Sequence, residues 1–294
     1  MSLNLSQRFN NLNIAEKLIA INVLCFAIPA FLRVFFFLFN SQGGDLFKYF
    51  NLPANLSQYI NQPWSIITYS FLHGGFFHLL FNMLVLYYVG KMFIAYIGSK
   101  KFLSIYFMGV IAGGIAFMLT YNLFPVFRVV VGVSDLVGAS AGVMAILIFM
   151  CGYVPKMRIN FFFFNIPFYV LGIGLVIYDL LTIPLNNNAG GSIAHLGGAA
   201  LGLYSVYQYK LGKSFGSSFE KLIDSIVNYF NFSSPRSKFR VNKNENYKTK
   251  KRHKKSKQSQ ESQEKIEKIL KKISQSGYQS LSQDEKEFLF NKED

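Results

Sequence analysis

Four side chains are of types that could together supply a nucleophile, a base and donors for an oxyanion. They are Ser140 in "DLVGASAGVMAI" (135–146), His195 in "AHLGGAALG" (194–202), and His78 with Asn82 in "HGGFFHLLFN" (73–82). A serine hydroxyl is a poor nucleophile until a base takes its proton, and an imidazole is a suitable base. The oxyanion formed on attack needs donors, such as an amide, a second imidazole or backbone N–H groups near a helix N-terminus. Taken singly, each residue has an ordinary explanation: a Ser in an apolar helix bonds to its own backbone one turn earlier, and a His near a helix end anchors at an interface. The case for chemistry rests on their joint placement, and so on the elements that hold them.

Those elements are apolar. Of 294 residues 51% are apolar, and mean hydropathy is +0.27, which is unusual for a soluble enzyme. The apolar residues gather into six runs, at 18–39, 76–97, 102–124, 136–154, 161–183 and 193–209. A helix of about 20 residues crosses a hydrocarbon core of roughly 30 Å, and lipid admits only helices or closed barrels. The expected fold is therefore an all-α membrane protein, a six-transmembrane-helix bundle. The first run is expected to remain as a span: it is too long for a cleavable signal peptide, holds Pro29 and Arg33, and lacks a small-residue cleavage site. Cys25 and Cys151 lie within runs one and four and read as small packing residues, not as a disulfide.

The net charge of +15 could suggest nucleic acid, but its distribution argues otherwise: from Lys210 onward the chain holds 20 of its 30 Lys/Arg and 11 of its 15 Asp/Glu. Before that point Arg8, Lys17, Lys100, Lys101, Lys156 and Arg158 flank alternate connections, and the remaining connections hold only Lys48 and Arg128. Basic residues stay on the cytoplasmic side during insertion. This predicts cytoplasmic N- and C-termini, with the connections at 40–75, 125–135 and 184–192 outside. The expected organisation is a membrane domain at 1–210, a basic linker at 211–261 and a small helical unit at 262–294. The stretch 242–263 is polar and charged enough to be disordered, serving as a solvated linker or as a polybasic stretch for anionic lipid. Ile266, Ile269, Leu270 and Ile273 follow helical spacing, Gly277 suits a terminator, and Ser282 with Glu285 forms a capping box, so a helical hairpin is expected. Its few apolar residues point to docking on a cytoplasmic partner or on the membrane domain.

In this orientation the second, fourth and sixth runs all descend from the outer face and carry their polar groups early. Ser140 falls four residues into its run, roughly 6 Å below the interface; His195 and His78 lie at or above that level, and Asn82 one turn below His78. Ala194, Gly198 and Gly202 form a line of small residues at i, i+4, i+8, and Gly138 with Gly142 does the same on the fourth run, so backbones can approach closely. Gly138 to Gly142 also reads as G-x-S-x-G, but the soluble α/β-hydrolase motif needs a strand–turn–helix context, and here an apolar run follows without punctuation. A small transporter fits poorly, because the polar groups cluster near one face.

The three motifs, "HGGFFHLLFN", "GASAG" (138–142) and "AHLGGAALG", in this order, resemble the rhomboid family of intramembrane serine proteases, over roughly residues 15 to 210. The resemblance implies a rhomboid-like bundle using a Ser–His dyad without an acid. Ser140 would be the nucleophile and His195 the general base and then acid, with His78, Asn82 and the backbone N–H of Ser140 binding the oxyanion. It implies no metal and no cofactor, and substrates that are transmembrane proteins cut near the outer membrane face. The expected partners are these substrates and membrane lipid, with no nucleic acid, and the expected setting is a bacterial inner (cytoplasmic) membrane. The connection 40–75 resembles the family's long outer loop. Three positions depart from the pattern: Ser65 follows Trp64 where an Arg is frequent, Ala141 follows the nucleophile where Gly is frequent, and Met144 stands where an aromatic ring often supports the histidine. Asp179, near the outer end of the fifth run, could be taken for a third member of a triad; it reads instead as a structural group, capping or bonding near the outer loop. His73 reads as a loop-anchoring hydrogen-bond group or as part of an outer-face network. The run 160–168 with Gly172 and Gly174, and the loop 184–192, are candidates for a gate and a cap. The alternative to a protease is a catalytically silent relative that binds membrane clients.

Overall fold

The computed structural model describes residues 7, 9, 11–40, 46–161, 164–185, 188–213, 215–230 and 264–290. The chain divides into two compact units, Met1–Phe232 and Ser233–Asp294. In the first, the main helices are α1 (Ile14–Leu38), α2 (Phe76–Tyr96), α3 (Ser99–Leu123), α4 (Ser140–Tyr153), α5 (Phe168–Thr182) and α6 (Ala189–Lys210), followed by α7 (Ser217–Phe230). By length and composition α1, α2 and α3 could each cross a membrane; α4 and α5 are apolar but shorter.

The central element is α4. Every residue from Ala141 to Cys151 is buried, so it has no lipid or solvent face, which explains its apolar composition without any helical stripe. At 14 residues it rises about 21 Å, short of a full hydrocarbon core. The peripheral helices differ. Phe31, Phe37 and Leu38 of α1 and Tyr178 and Leu181 of α5 are exposed, as expected of side chains that face lipid.

Glycines set the distance between the inner helices. A Cβ on Gly198 or Gly202 of α6 would overlap the carbonyls of Ala141 and Ala145 on α4. A Cβ on Gly113 of α3 would lie 2.5 Å from the Ala141 methyl and 2.7 Å from the Ala194 carbonyl oxygen. The α6 line of small residues thus packs as its spacing predicts. The α4 line does not: Gly142 packs on Tyr106, but Gly138 precedes the helix with φ +128°.

Two helix boundaries depart from the apolar runs. The fourth run is helical only from Ser140, because Asp135–Leu136 (β2) pairs antiparallel with Leu52–Pro53 (β1) and Gly138 holds a backbone conformation closed to a helix. The fifth run is helical only from Phe168, since Arg158–Phe161 (β3) and Phe164–Pro167 (β4) form an antiparallel pair. Arg158 donates to the Asn165 side chain and carbonyl, and Asn165 to Asn160. Pro167, which cannot donate within a helix, sits at its N-cap.

The connection 40–75 is folded against α3. The Asn122 amide donates to Ala54 O at 2.8 Å, and the buried Tyr69 hydroxyl donates to Val110 O at 2.7 Å. At the opposite end of the unit, α7 lies within the stretch expected to be basic linker. Its Glu220 and Asp224 pair with Lys101 and Lys100, the two cations at the start of α3. The expected disordered stretch 242–263 lies outside the described residues.

The second unit contains α8 (264–276), a 3-10 turn at Tyr278–Ser280 and α9 (Gln283–Phe290). Gly277 leaves α8 with φ +73°, and the Ser282–Glu285 capping box is formed in both directions. Lys272 reaches from α8 to Glu285 at 2.9 Å.

Gly198→Ala is expected to cost about 1–3 kcal/mol by forcing a methyl into the α4 backbone. Gly174→Ala, with open space around it, should stay within about 0.5 kcal/mol. Denaturant titration of the two variants in micelles measures the difference. In the second unit, Ser282→Ala should speed amide exchange at the start of α9 in the full chain, through loss of a cap worth ~1 kcal/mol.

Candidate active site

The turn before α4 fixes Ser140. The Gly138 N–H donates to Tyr69 O at 2.9 Å, and Tyr69 is itself tied to α3, so the outer connection and the start of α4 form one framework. Ala139 is the N-cap and Ser140 the first helical residue, not the fifth as its place in the run suggested. The first N–H groups of a helix have no intrahelical partner and lie at the positive end of its dipole. Those of Ser140 and the residues after it are therefore available to a developing anion.

Ser140, His195, His78, Asn82, Met144 and Asp179 all line one cavity of ≈ 680 Å³ between α2, α4, α5 and α6. The residues singled out in three separate motifs thus reach a common space. A Cβ on Gly138 would lie 2.8 Å from His78 Nε2, so the imidazole rests against the turn that carries Ser140. Asn82 is buried and donates from Nδ2 to His78 O at 2.8 Å, the ordinary bond to its own helix; its second amide N–H remains for the cavity. Among the described residues no hydrogen bond joins Ser140 Oγ to His195. The hydroxyl and the imidazole share the cavity without a hydrogen bond between them, as is common before substrate binds.

His195 is held from its other side. Its Nδ1 lies 3.0 Å from Asp179 Oδ1 and 3.1 Å from Oδ2. The Asp179 side chain is 5% exposed and that of His195 27%. Among the described residues Asp179 therefore has neither a capping role nor a bond to the outer loop; its carboxylate faces α6. Sequence reasoning weighed it as a third member of a triad and preferred a structural role, although a signal was present: it is the only Asp or Glu within any of the six apolar runs. One turn along, the Thr182 hydroxyl lies 3.2 Å from that of Ser192, a second polar bridge between α5 and α6.

His73 does not anchor its loop by hydrogen bonds. Both ring nitrogens are buried without a partner, and the ring stands edge-on to His78 with centroids 5.1 Å apart. Burial, with His78 beside it, pushes the His73 pKa down to about 4. The departures from the family pattern have local explanations. The Ala141 methyl fits where Gly113 lacks a side chain, Met144 is buried beside the cavity, and Ser65 is fully buried. Trp64 Nε1 donates to Tyr49 O at 3.0 Å within the outer connection. Among the described residues no group of three or more His, Cys, Asp or Glu could hold a metal ion.

Comparison with known proteins identifies the family. The model of the Rhomboid domain matches residues 60–211, more than half of the chain and all of the cavity-forming helices. RHOMBOID-like protein 12, mitochondrial, of Arabidopsis thaliana is 29% identical over 159 residues, 51% of this chain and 47% of that protein. Rhomboid protein 1, mitochondrial, of Saccharomyces cerevisiae is 29% identical over 198 residues, 66% of this chain and 53% of that protein. Presenilin-associated rhomboid-like protein, mitochondrial, of Homo sapiens is 27% identical over 215 residues, 69% of this chain and 51% of that protein. The chain spans about half the length of the curated relatives it matches. These relatives are all mitochondrial by name, which overturns the expectation of a bacterial inner membrane with cytoplasmic termini. From its motifs, its shared cavity and the domain it matches, the chain belongs to the rhomboid family of membrane proteins.

Proposed function

We propose that the protein is an intramembrane serine endopeptidase acting on transmembrane proteins, with Ser140 as nucleophile and His195 as general base. The observation that carries this reading is the single cavity that receives Ser140, His195, His78 and Asn82 from three helices. In the first step Ser140 Oγ attacks the scissile carbonyl carbon, its proton passes to His195 Nε2, and the carbonyl electron pair moves onto oxygen. His78, the Asn82 amide and the first N–H groups of α4 are the donors for that oxyanion. As the C–N bond breaks, the imidazolium returns the proton to the leaving amine. Water then attacks the acyl-enzyme with His195 again as base, and Ser140 is restored.

In this reading all six main helices span the membrane, with the short α4 shielded at the centre. The site opens towards the face opposite the Lys100, Lys101, Lys156 and Arg158 connections. The printed names of the relatives support a mitochondrial membrane, with the basic end towards the matrix. The proposed domain plan is a membrane part to about residue 210, with α7 paired to the start of α3, then a basic linker and a C-terminal helical hairpin that docks on a partner. The substrate helix would enter beside α5, of whose fifteen residues only Phe168, Gly172, Asp179 and Thr182 are buried. The alternative, a client-binding relative without catalysis, draws on the missing Ser140–His195 hydrogen bond.

Reconstituted with a panel of reporter transmembrane segments, the wild type should cleave at least one near the membrane face, and Ser140→Ala and His195→Ala should each lower the rate at least about 10³-fold. Asn82→Ala should cost about 10²-fold, as expected for loss of one oxyanion donor. Binding of reporters without cleavage by the wild type would favour the client-binding alternative, and undiminished cleavage by Ser140→Ala would remove Ser140 from the mechanism.

A further inference from the structure

The Asp179 carboxylate is costly where it stands. A carboxylate inside an apolar bundle requires a specific partner, and among the described residues its oxygens meet only His195 Nδ1. We propose that Asp179 is a positioning residue for the base, so that the site operates with an acid behind the histidine instead of as a bare Ser–His pair. The proposal rests on the serine protease reading and deepens it.

The geometry defines what the carboxylate does. An ionised carboxylate only accepts hydrogen bonds, so a proton on His195 must sit on Nδ1 to be shared with it. That leaves the Nε2 lone pair as the acceptor for the Ser140 proton. A neutral imidazole in water favours the opposite tautomer, with the proton on Nε2, which cannot act as a base towards Ser140. When His195 takes the serine proton, the imidazolium forms 3.0 Å from the carboxylate and is stabilised there without rearrangement. The carboxylate accepts from Nδ1–H throughout, and no further proton transfer is involved.

A purely structural explanation exists and makes different predictions. Asp179 and Thr182 lie one turn apart on α5, His195 and Ser192 one turn apart on α6, and the two pairs form parallel bridges. If the carboxylate served only to hold α5 against α6, breaking the Thr182–Ser192 bridge would have the same kind of effect. If it orients the base, the two bridges differ: one sets the chemistry and the other only the packing. The position of α5 then also bears on catalysis, because displacing α5 from α6 would free the imidazole.

The test uses the full-length protein in micelles and the rate at which a fluorophosphonate probe labels Ser140. Asp179→Asn, which keeps the shape, and Asp179→Ala should each label about 10²-fold more slowly than wild type, while Thr182→Val labels within about threefold of wild type. ¹⁵N NMR of histidine-labelled protein, with the His195 signal identified by its loss in His195→Ala, should report the Nδ1–H tautomer in wild type and a shift towards Nε2–H in Asp179→Ala. Thermal midpoints identify any variant that has merely lost its fold; if Asp179→Ala is one, the labelling rate of folded Asp179→Asn decides, about 10²-fold slower if the proposal holds and at the wild-type rate if it does not. Wild-type labelling rates in both Asp179 variants, an unchanged tautomer, or an equal loss in Thr182→Val would overturn the role of Asp179 and leave Ser140 as nucleophile. Failure of folded wild type to label at Ser140 would instead overturn the protease reading, and the proposal with it.

Discussion

The site depends on how closely α4, α6 and α3 approach one another. Where Gly198 faces the Ala141 carbonyl, the backbones of α4 and α6 are separated by less than one methyl group. Only at that separation can a side chain as short as serine share a space with an imidazole from another helix. Gly113 provides the same closeness on the α3 side, and leaves room for the Ala141 methyl directly after Ser140. In lipid, where no hydrophobic effect drives one apolar helix against another, close van der Waals contact of this kind is a principal source of cohesion. The packing that stabilises the bundle and the packing that assembles the cavity are therefore the same contacts.

The polar groups follow from this frame. Burying them is expensive, and most are matched locally: Asn82 to its own helix, Tyr69 to α3, Thr182 to Ser192, Asp179 to His195. Ser140 Oγ is among the polar groups at the site that have no such match among the described residues, and it stands at a helix N-terminus where developing negative charge is favoured. This hydroxyl faces a cavity that also receives two imidazoles, the arrangement on which the proposed chemistry rests.

The helices and their inward residues were legible because apolar length and small-residue spacing are direct consequences of lipid burial. Four of the six runs predict their helices to within a few residues, and the Ala194–Gly198–Gly202 line identifies the contact face of α6. The starts of α4 and α5 were not legible, since apolar composition alone does not distinguish a helix from a short strand buried beside it. Gly138 was read as part of a helical line when its function is a turn, a conformation that residue type permits but does not announce. Asp179 was underestimated for a different reason: its meaning depends on a partner 16 residues away on the next helix, and a family pattern without an acid weighed against reading it as a third member of a triad. Setting by compartment was the weakest inference, because the orientation rule for basic residues applies alike to membranes of different compartments.

The central claim is that Ser140 is a nucleophile activated within the bundle. Tandem mass spectrometry of the protein in lipid vesicles, after treatment with a small fluorophosphonate, tests it without knowledge of any substrate. The account predicts a single phosphonyl adduct on Ser140 in the wild type and none in His195→Ala. An adduct on another serine, or a folded protein left unmodified at Ser140, would contradict it.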